Sequence, residues 1–154
     1  MPTYQGFNFS STLDWISNLS TSSYQAYSGA FNLINNQGGV GTINNADLSD
    51  FTFDGLWAKG ASLSGSILHG TIKGFNNGTE VWSINTSLLP GGGAYEFISG
   101  QAQPIDELHL GLGNYFLVDN LSLTPSAVPV PGAIWLFSST MIGLIGMKRR
   151  KSVV

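Results

Sequence analysis

The side chains that commonly carry out catalysis are few in this sequence and poorly placed for it. His69 and His109 are the two histidines, and each stands alone in an alternating pattern typical of a β-strand. We expect each to be a residue on one strand face rather than a catalyst or a metal ligand. Asp106 and Glu107 are adjacent, but neighbouring strand residues point to opposite faces, whereas glycan hydrolysis needs two facing carboxylates. We therefore expect them to be solvated acids, and the sequence predicts no enzyme.

Three aspartates are close enough in sequence to suggest a calcium site. Asp47, Asp50 and Asp54 miss the Asp-x-Asp-x-Asp-Gly spacing of the known calcium-binding loop. The chain has no cysteine, which excludes disulfides and thiolate metal sites. We expect no metal and no cofactor, and calcium at these three acids stays open as an alternative.

Aromatic side chains are the better candidates for ligand binding, because sugar-binding β-sandwiches commonly stack flat rings on pyranose rings. Trp15, Trp57 and Trp82 are the candidates within residues 1–125. Trp57 follows Asp54-Gly55, a dipeptide typical of hairpin turns, and a turn there would expose it, so Trp57 is the candidate for stacking on a glycan. The alternative is that all three tryptophans are core residues, since large rings dominate burial in small β-domains.

Composition and spacing predict many short strands. Only 10% of the residues are charged, 12% are aromatic and glycine is abundant, a composition that suits strands joined by tight turns. Asn77-Gly78 predicts a hairpin turn, residues 35–45 indicate a loop, and the apolar run 115–118 predicts a central strand. Other segments predict strands at 7–9, 24–34, 51–53, 61–72, 79–85, 94–98, 108–112 and 121–123. We therefore predict an all-β fold, an antiparallel β-sandwich or jelly roll.

Charge divides the chain into two parts. Lys59 and Lys73 are the only cations before residue 126, and all nine acids lie in that same part. Such an acidic body lacks the clustered Lys and Arg that a nucleic-acid-binding surface needs, so we expect no nucleic acid as a partner. We assign residues 1–125 to one β-sandwich body and residues 126–154 to a separate C-terminal segment.

The C-terminal segment has the pattern of a membrane anchor. An uncharged run extends from Ala127 to Met147, close to the ~20 residues that cross a bilayer as a helix. Directly after it come the four cations Lys148, Arg149, Arg150 and Lys151. Basic residues prefer the cytoplasmic side, so the sequence predicts a single C-terminal transmembrane helix with the β-sandwich outside the cytoplasm.

The same segment resembles a known sorting signal. Its parts are, in order, a proline motif (Val128, Pro129, Val130, Pro131 and Gly132), a hydrophobic helix at 133–147 and a basic end at 148–151. This order resembles the PEP-CTERM sorting signal of Gram-negative bacteria, also described as an ice-binding protein C-terminal domain, in its Val-Pro-x-Pro variant. The resemblance covers residues 128–151, and Val130 stands where the motif usually has glutamate.

The resemblance implies a route of export. The helix would retain the protein in the inner membrane, and an exosortase-type enzyme would process it near the proline motif for the cell surface or the exterior. An ordinary membrane anchor that is never cleaved is the alternative, since both have the same hydropathy. Residues 1–4 lack the basic and apolar regions of a signal peptide, and we expect such a leader upstream of Met1.

These observations lead us to expect an exported, non-enzymatic surface or extracellular-matrix protein. The resemblance implies an association with exopolysaccharide and biofilm. It also implies three partners: the membrane, the exosortase-type enzyme and extracellular polysaccharide. A carbohydrate-binding module is the alternative function, and a small glycan hydrolase is a third. Exposed coplanar aromatic rings would favour the module, whereas a cleft with two facing carboxylates would favour the hydrolase.

The basic end predicts the membrane topology. Alkaline phosphatase fused after Ser126 should be active outside the cytoplasm in a Gram-negative host, and a fluorescent protein at the C-terminus should remain cytoplasmic. Replacing all four cations at 148–151 with Gln should weaken retention, because the charge bias sets the orientation. This topology would be rejected if phosphatase fused after Ser126 is inactive while a fluorescent protein fused at the same position is bright.

Overall fold

The protein is described by a computed structural model over residues 3–18, 24–35, 37–61, 67–89 and 93–126. These residues form ten β-strands and no α-helix, which confirms the predicted all-β class. In chain order the strands are β1 (Phe7–Phe9), β2 (Leu13–Ser17), β3 (Phe31–Asn35), β4 (Gly41–Asn45), β5 (Phe51–Gly60), β6 (Leu68–Asn76), β7 (Thr79–Leu88), β8 (Glu96–Ile105), β9 (Glu107–Gly111) and β10 (Phe116–Pro125).

Two five-stranded antiparallel sheets form a β-sandwich. The first sheet has the strand order β1-β4-β9-β6-β7, and the second sheet has the order β2-β3-β10-β5-β8. From β3 onward the strand orders in the two sheets are 4-9-6-7 and 3-10-5-8, which is the arrangement of a jelly roll. The predicted antiparallel sandwich is therefore confirmed, and β10 is the central strand of the second sheet.

Side chains from the inner faces of both sheets form the main core. Aromatic contacts join the sheets in this core: the ring centroids of Phe7 and Phe51 are 5.1 Å apart, and those of Phe53 and Trp82 are 5.9 Å apart. Fully burying a large apolar side chain is worth about 1.5–3 kcal/mol relative to leaving it in water, so these residues hold the sheets together. The largest fully buried side chains are Phe51, Phe53, Phe116, Leu13, Ile43, Leu56, Ile72, Leu88, Ile105, Leu108, Leu110 and Leu112.

The chain turns between β6 and β7 at the predicted Asn77-Gly78. Both residues have positive φ, 50° and 74°, as a two-residue type I′ turn requires. The Asn77 amide donates a hydrogen bond of 2.8 Å to Asp106 Oδ2, which fastens the turn to the start of β9. A local signal is sufficient here because the two strands joined by the turn pair directly with each other.

The turn predicted at Asp54-Gly55 is wrong, because both residues lie inside β5. Gly55 has a φ of 138°, which side-chain-bearing residues rarely adopt, and it pairs with Ser99 of β8 and Ser122 of β10. The Asp54 carboxylate accepts a hydrogen bond of 2.6 Å from the Thr124 hydroxyl of β10. Pairing with a strand on each side outweighs the local preference of the dipeptide for a turn.

The predicted loop at 35–45 is correct for residues 37–40 and wrong at both ends, since Asn35 is the last residue of β3. Gly41–Asn45 is β4, which pairs with β1 and β9. Its residues are mostly polar, so hydrophobic periodicity contains no strand signal there. The strand predicted at 61–72 falls partly on 62–66, outside the described residues, and β6 begins at Leu68.

β10 changes its partners along its length. From Phe116 to Val118 it pairs with both β3 and β5, whereas beyond Val118 its pairing with β3 stops and only β5 continues. A register shift between Asp119 and Ser122 marks a β-bulge, within which Asn120 has a positive φ of 46°. The second sheet therefore opens between β3 and β10 at this bulge.

β10 ends at Pro125, and the Ser126 amide donates a hydrogen bond of 2.7 Å to the Asp50 carbonyl oxygen. The proline motif, the hydrophobic helix and the basic end assigned to 128–151 lie outside the described residues. In the ranges that the structure describes, no helix has the length and apolar character needed to cross a membrane.

The central position of Val118 predicts a large effect of substitution. Val118 is 1% exposed and pairs with Leu33 and Ala58, so Val118→Asp should lower the free energy of unfolding by at least about 3 kcal/mol. The matched control is Val40→Asp at a position 47% exposed, which should change it by no more than about 0.5 kcal/mol. Urea unfolding of the full chain measures both, and equal stabilities would show that β10 is not central.

Candidate functional site

The two histidines lie on the outer face of the first sheet, and each has its own neighbours. His109 Nε2 is 2.6 Å from Glu107 Oε1, and its ring centroid is 4.3 Å from that of Phe75. His69 Nδ1 is 3.0 Å from Ser87 Oγ. The structure therefore does not bring the histidines together, and both are strand-face residues.

The aspartates considered as calcium ligands also have separate partners. Asp47 accepts hydrogen bonds from the hydroxyl and the amide of Ser49, which lower the pKa of its carboxyl. Asp50 accepts from the Asn76 side-chain amide at 3.2 Å, and Asp54 accepts from hydroxyls on β5 and β10. Within the described ranges, no group of three or more His, Asp or Glu residues is placed to hold a metal ion.

Trp57 lies in the middle of β5, on the outer face of the second sheet, rather than beside a turn. Tyr27 covers its indole, with ring centroids 4.1 Å apart and planes 12° apart. Phe97 is its direct neighbour on β8, with a centroid distance of 5.4 Å. Trp57 is therefore half-buried, and the rings that reach solvent are those of Tyr27 and Phe97. We call these three side chains the outer stack.

A small buried cluster supports the outer stack. The Tyr95 hydroxyl donates a hydrogen bond of 3.0 Å to the Gln25 carbonyl oxygen and accepts one of 3.2 Å from the Asn32 side-chain amide. Burial raises the pKa of the Tyr95 phenol well above its usual value, so the hydroxyl remains a donor. Lys59 Nζ lies 4.7 Å from the centroid of the Tyr95 ring, and burial lowers the pKa of this ammonium group. The apolar residues of the cluster are Ile34, Ala61 and Leu117, with Ile16 and Tyr24 packed against them.

Trp82 has a packing role on the inner face of the first sheet. Its ring stacks on Phe53 across the core and lies over Gly74, where an added methyl group would overlap the indole. Its Nε1 atom is buried, and none of the described residues accepts a hydrogen bond from it. Trp82 is therefore a partly buried ring packed against the main core.

Trp15 lines a cleft of about 510 Å³ at the side of the sandwich where the edge strands β1 and β2 lie. Three aromatic rings at this cleft are exposed, Tyr4 at 49%, Trp15 at 43% and Phe31 at 60%. Tyr4 and Trp15 meet edge to face, with centroids 5.1 Å apart. Leu33 and Val118, which also line the cleft, are buried in the main core. We call this the edge cleft.

The edge cleft forms because β10 separates from β3 at the bulge. Phe31 begins β3 and pairs with Ser17 of β2, but β10 has no residue paired with it. Its ring is left at the opening instead of being covered by a neighbouring strand. Leu121 within the bulge and Leu123 after it line the cleft and pack against the core. The opening thus exposes aromatic rings above an apolar base.

Polar groups join β10 to the segment before β3 at one side of the edge cleft. The Ser28 amide donates a hydrogen bond of 2.8 Å to Asp119 Oδ2, and the Ser28 hydroxyl donates one of 2.7 Å to Asn120 Oδ1. Asp119 Oδ1 accepts a further hydrogen bond of 2.7 Å from the Asn120 amide. We call Ser28, Asp119 and Asn120 the polar bridge. Gln5 and Ser122 add an exposed amide and an exposed hydroxyl to the lining.

The electrostatics of the edge cleft suit a neutral ligand. Its described lining contains no Lys, Arg or His, and Asp119 is the one acid in it. Exposed rings bind flat apolar surfaces, while amide and hydroxyl groups exchange hydrogen bonds with hydroxyl groups of a ligand. The arrangement therefore fits a neutral molecule that presents both apolar faces and hydroxyl groups.

Sequence patterns identify only part of this site. Trp15 is among the candidates, but Tyr4 and Phe31 carry no signal, because an exposed ring and a core ring have the same alternation. The polar bridge joins residues 28 and 119 across most of the chain, and local sequence does not predict such contacts. Trp57, the residue singled out from the sequence, lies outside the lining of the edge cleft but neighbours Asp119 across β5 and β10.

No protein-family model matches the chain, and no curated protein matches it by sequence. It is similar to the structure of a DUF4465 family protein from Bacteroides caccae, with a TM-score of 0.49 and 14% identity, covering 79% of this chain and 74% of that chain. For TmCBM61 in complex with β-1,4-galactotriose the TM-score is 0.43 and the identity 11%, covering 79% and 90% of the two chains. For the arabinose-bound MgGH51 α-L-arabinofuranosidase the values are 0.46 and 12%, covering 80% of this chain and 24% of that chain. These similarities assign the chain to no family, so its site is argued from its own residues.

The different environments of Trp57 and Trp15 predict different costs of truncation. Trp57→Ala removes a half-buried ring with two aromatic contacts and should lower the free energy of unfolding by about 2–3 kcal/mol. Trp15→Ala removes a ring that is 43% exposed and whose two aromatic contacts are longer, at 5.1 and 6.1 Å, and it should cost only about 1 kcal/mol. Urea unfolding of the two variants measures the difference, and equal costs would contradict the placement of Trp57.

Proposed function

We propose that the protein is a non-enzymatic carbohydrate-binding β-sandwich whose edge cleft holds a neutral glycan. The observation that carries this proposal is the group of three exposed rings, Tyr4, Trp15 and Phe31, around one cleft with an apolar base. Sugar rings have one or both faces lined by C–H groups, so they pack on aromatic rings while their hydroxyl groups remain available to polar neighbours. The aromatic rings and the polar bridge supply both kinds of contact.

Two aromatic rings of the edge cleft, those of Tyr4 and Trp15, are held in place before a ligand arrives. Tyr4 and Trp15 support each other edge to face, and Phe9 lies behind Trp15 with a ring-centroid distance of 6.1 Å. The Tyr4 backbone pairs with that of Phe7 through two hydrogen bonds of 2.9 Å. Rings fixed in this way lose little conformational entropy on binding, which favours affinity.

Hydrolysis is less consistent with the edge cleft than binding is. Cleavage of a glycan uses two carboxyl groups facing each other, and Asp119 is the one acid in the described lining. Both of its carboxylate oxygens already accept backbone hydrogen bonds, from Ser28 and from Asn120. Asp106 and Glu107, the adjacent acids, have the separate partners Asn77 and His109. A structural matrix protein without glycan affinity is the second candidate, and the binding experiment below distinguishes it.

We further propose that the C-terminal segment delivers this domain out of the cytoplasm. The support is the order of the proline motif at 128–132, the hydrophobic run at 133–147 and the basic end at 148–151. In this proposal the segment retains the protein in the inner membrane until an exosortase-type enzyme processes it, and the domain then meets polysaccharide at the cell surface or outside it. β10 ends at Pro125, directly before this segment.

The glycan proposal predicts a selective loss of binding on a carbohydrate array. The full chain in a detergent without sugar groups should bind at least one neutral polysaccharide, and Trp15→Ala should weaken that binding by about tenfold or more. Tyr115→Ala is the matched control, because Tyr115 is 47% exposed but lies outside the edge cleft, and it should bind as the wild type does. Affinity should change little between low and moderate salt, since screening acts on charges and not on stacked rings.

The outcomes separate the candidate functions. No binding to any glycan by the wild type would remove the carbohydrate-binding proposal and favour a structural matrix protein. Binding that survives Trp15→Ala would place the glycan elsewhere on the surface. Release of shortened oligosaccharides from a bound polysaccharide would show a hydrolase instead.

A further inference from the structure

The outer stack is a second exposed aromatic surface, and it lies on the outer face of the second sheet. Tyr27 is 47% exposed and Phe97 is 56% exposed, while Trp57 between them is half-buried. The rings of Tyr27 and Trp57 are nearly parallel, and Tyr95 meets Tyr27 edge on at 5.8 Å. The outer stack is therefore held by packing on one side and reaches solvent on the other.

The outer stack adjoins the edge cleft at the polar bridge. Trp15 belongs to the inner face of the second sheet and the outer stack to its outer face, and Ser28 and Asp119 lie where the two meet. Tyr27 is the residue before Ser28, which lines the cleft and binds Asp119. Asp119, Trp57 and Phe97 are direct neighbours across β10, β5 and β8, so they form a row on one sheet face. At the usual spacing of about 4.8 Å between strands, this row extends about 10 Å from the cleft.

We propose that the edge cleft and the outer stack bind one neutral polysaccharide chain along its length. In this arrangement one part of the chain packs on Trp15 in the edge cleft, the next part passes the polar bridge, and a further sugar packs on Tyr27 or Phe97. The protein thereby recognises an internal stretch of a linear polymer rather than a terminal sugar. This inference rests on the proposed function, because it adds a second binding surface to the proposed cleft.

The charge of the domain favours a neutral glycan over a second copy of the chain at this surface. Residues 1–125 contain two cations and nine acids, so two copies placed face to face repel each other. Lys59, the cation under this surface, is 4% exposed and lies against the Tyr95 ring. A neutral sugar chain meets no such repulsion, and it can place its ring faces on the aromatic side chains and its hydroxyl groups beside Asp119 and Ser28.

Two surfaces that share one ligand make affinity depend on chain length. Once the edge cleft holds one part of a chain, the next sugars are already at high local concentration beside the outer stack. A long oligosaccharide should therefore bind about tenfold or more tightly than a disaccharide of the same sugar and linkage. A short sugar that fills only the edge cleft gains nothing from the outer stack.

Phe97→Ala tests this arrangement because it removes an exposed ring of the outer stack and leaves the edge cleft untouched. The probes are cellobiose and cellohexaose, xylobiose and xylohexaose, and β-1,4-galactobiose and galactohexaose. Isothermal titration calorimetry with the full chain, in a detergent without sugar groups, measures their affinities. For the series that binds, Phe97→Ala should weaken the hexasaccharide about tenfold and leave the disaccharide within about twofold. Trp15→Ala should weaken both, and Tyr115→Ala should weaken neither.

The other outcomes overturn the inference in distinguishable ways. If Phe97→Ala leaves the hexasaccharide unchanged, or weakens both lengths equally while thermal melting shows a folded protein, the outer stack is not an extension of the cleft. If the wild type forms a dimer that Phe97→Ala dissociates, a second copy occupies this surface. If no oligosaccharide and no array polysaccharide binds to the wild type, the proposed function fails, and the inference fails with it.

Discussion

The site depends on how β10 pairs with its neighbours. The strand begins between two partners and then loses one of them. Up to Val118 the strand is held by β3 and β5 and buries its inward side chains completely. Beyond that residue, the bulge at Asp119–Ser122 keeps β10 on β5 and releases it from β3. A strand gap of this kind normally leaves backbone groups without partners, and here the segment before β3 partly fills it.

The hydrogen bonds between Ser28 and Asp119 make that segment part of the fold. A carboxylate that accepts backbone N–H groups forms stronger hydrogen bonds than a neutral acceptor, so Asp119 can hold a segment far from it in sequence. The same contact places Tyr27 over Trp57 on the outer face and places Ser28 beside the edge cleft. One acid thereby positions two aromatic surfaces that have no residue in common, which explains why they adjoin.

Several large rings remain exposed although burial would stabilise the domain. Tyr4, Trp15 and Phe31 gather at the edge cleft, and Tyr27 and Phe97 gather at the outer stack, instead of being scattered singly over the surface. Exposed apolar groups that cluster beside polar groups are typical of binding surfaces, whereas single exposed rings need no explanation. Because cations are scarce in residues 1–125 and the acids are dispersed, stacking and neutral hydrogen bonds would be the main sources of affinity for the proposed glycan.

Local patterns in the sequence correctly predicted the all-β class, the turn at Asn77-Gly78 and the central strand at 115–118, because each of these patterns depends on neighbouring residues. They failed at Asp54-Gly55, where strands from elsewhere in the chain pair on both sides of a dipeptide that favours turns. They also failed to distinguish Trp15, Trp57 and Trp82. These residues have similar local contexts, but the first lines the edge cleft, the second belongs to the outer stack and the third is partly buried against the core. The exposure of a ring depends on which distant strand lies beside it. Here the bulge of β10 leaves Phe31 without a neighbouring strand on that side. The hydrogen bonds at the bulge join residues about ninety positions apart.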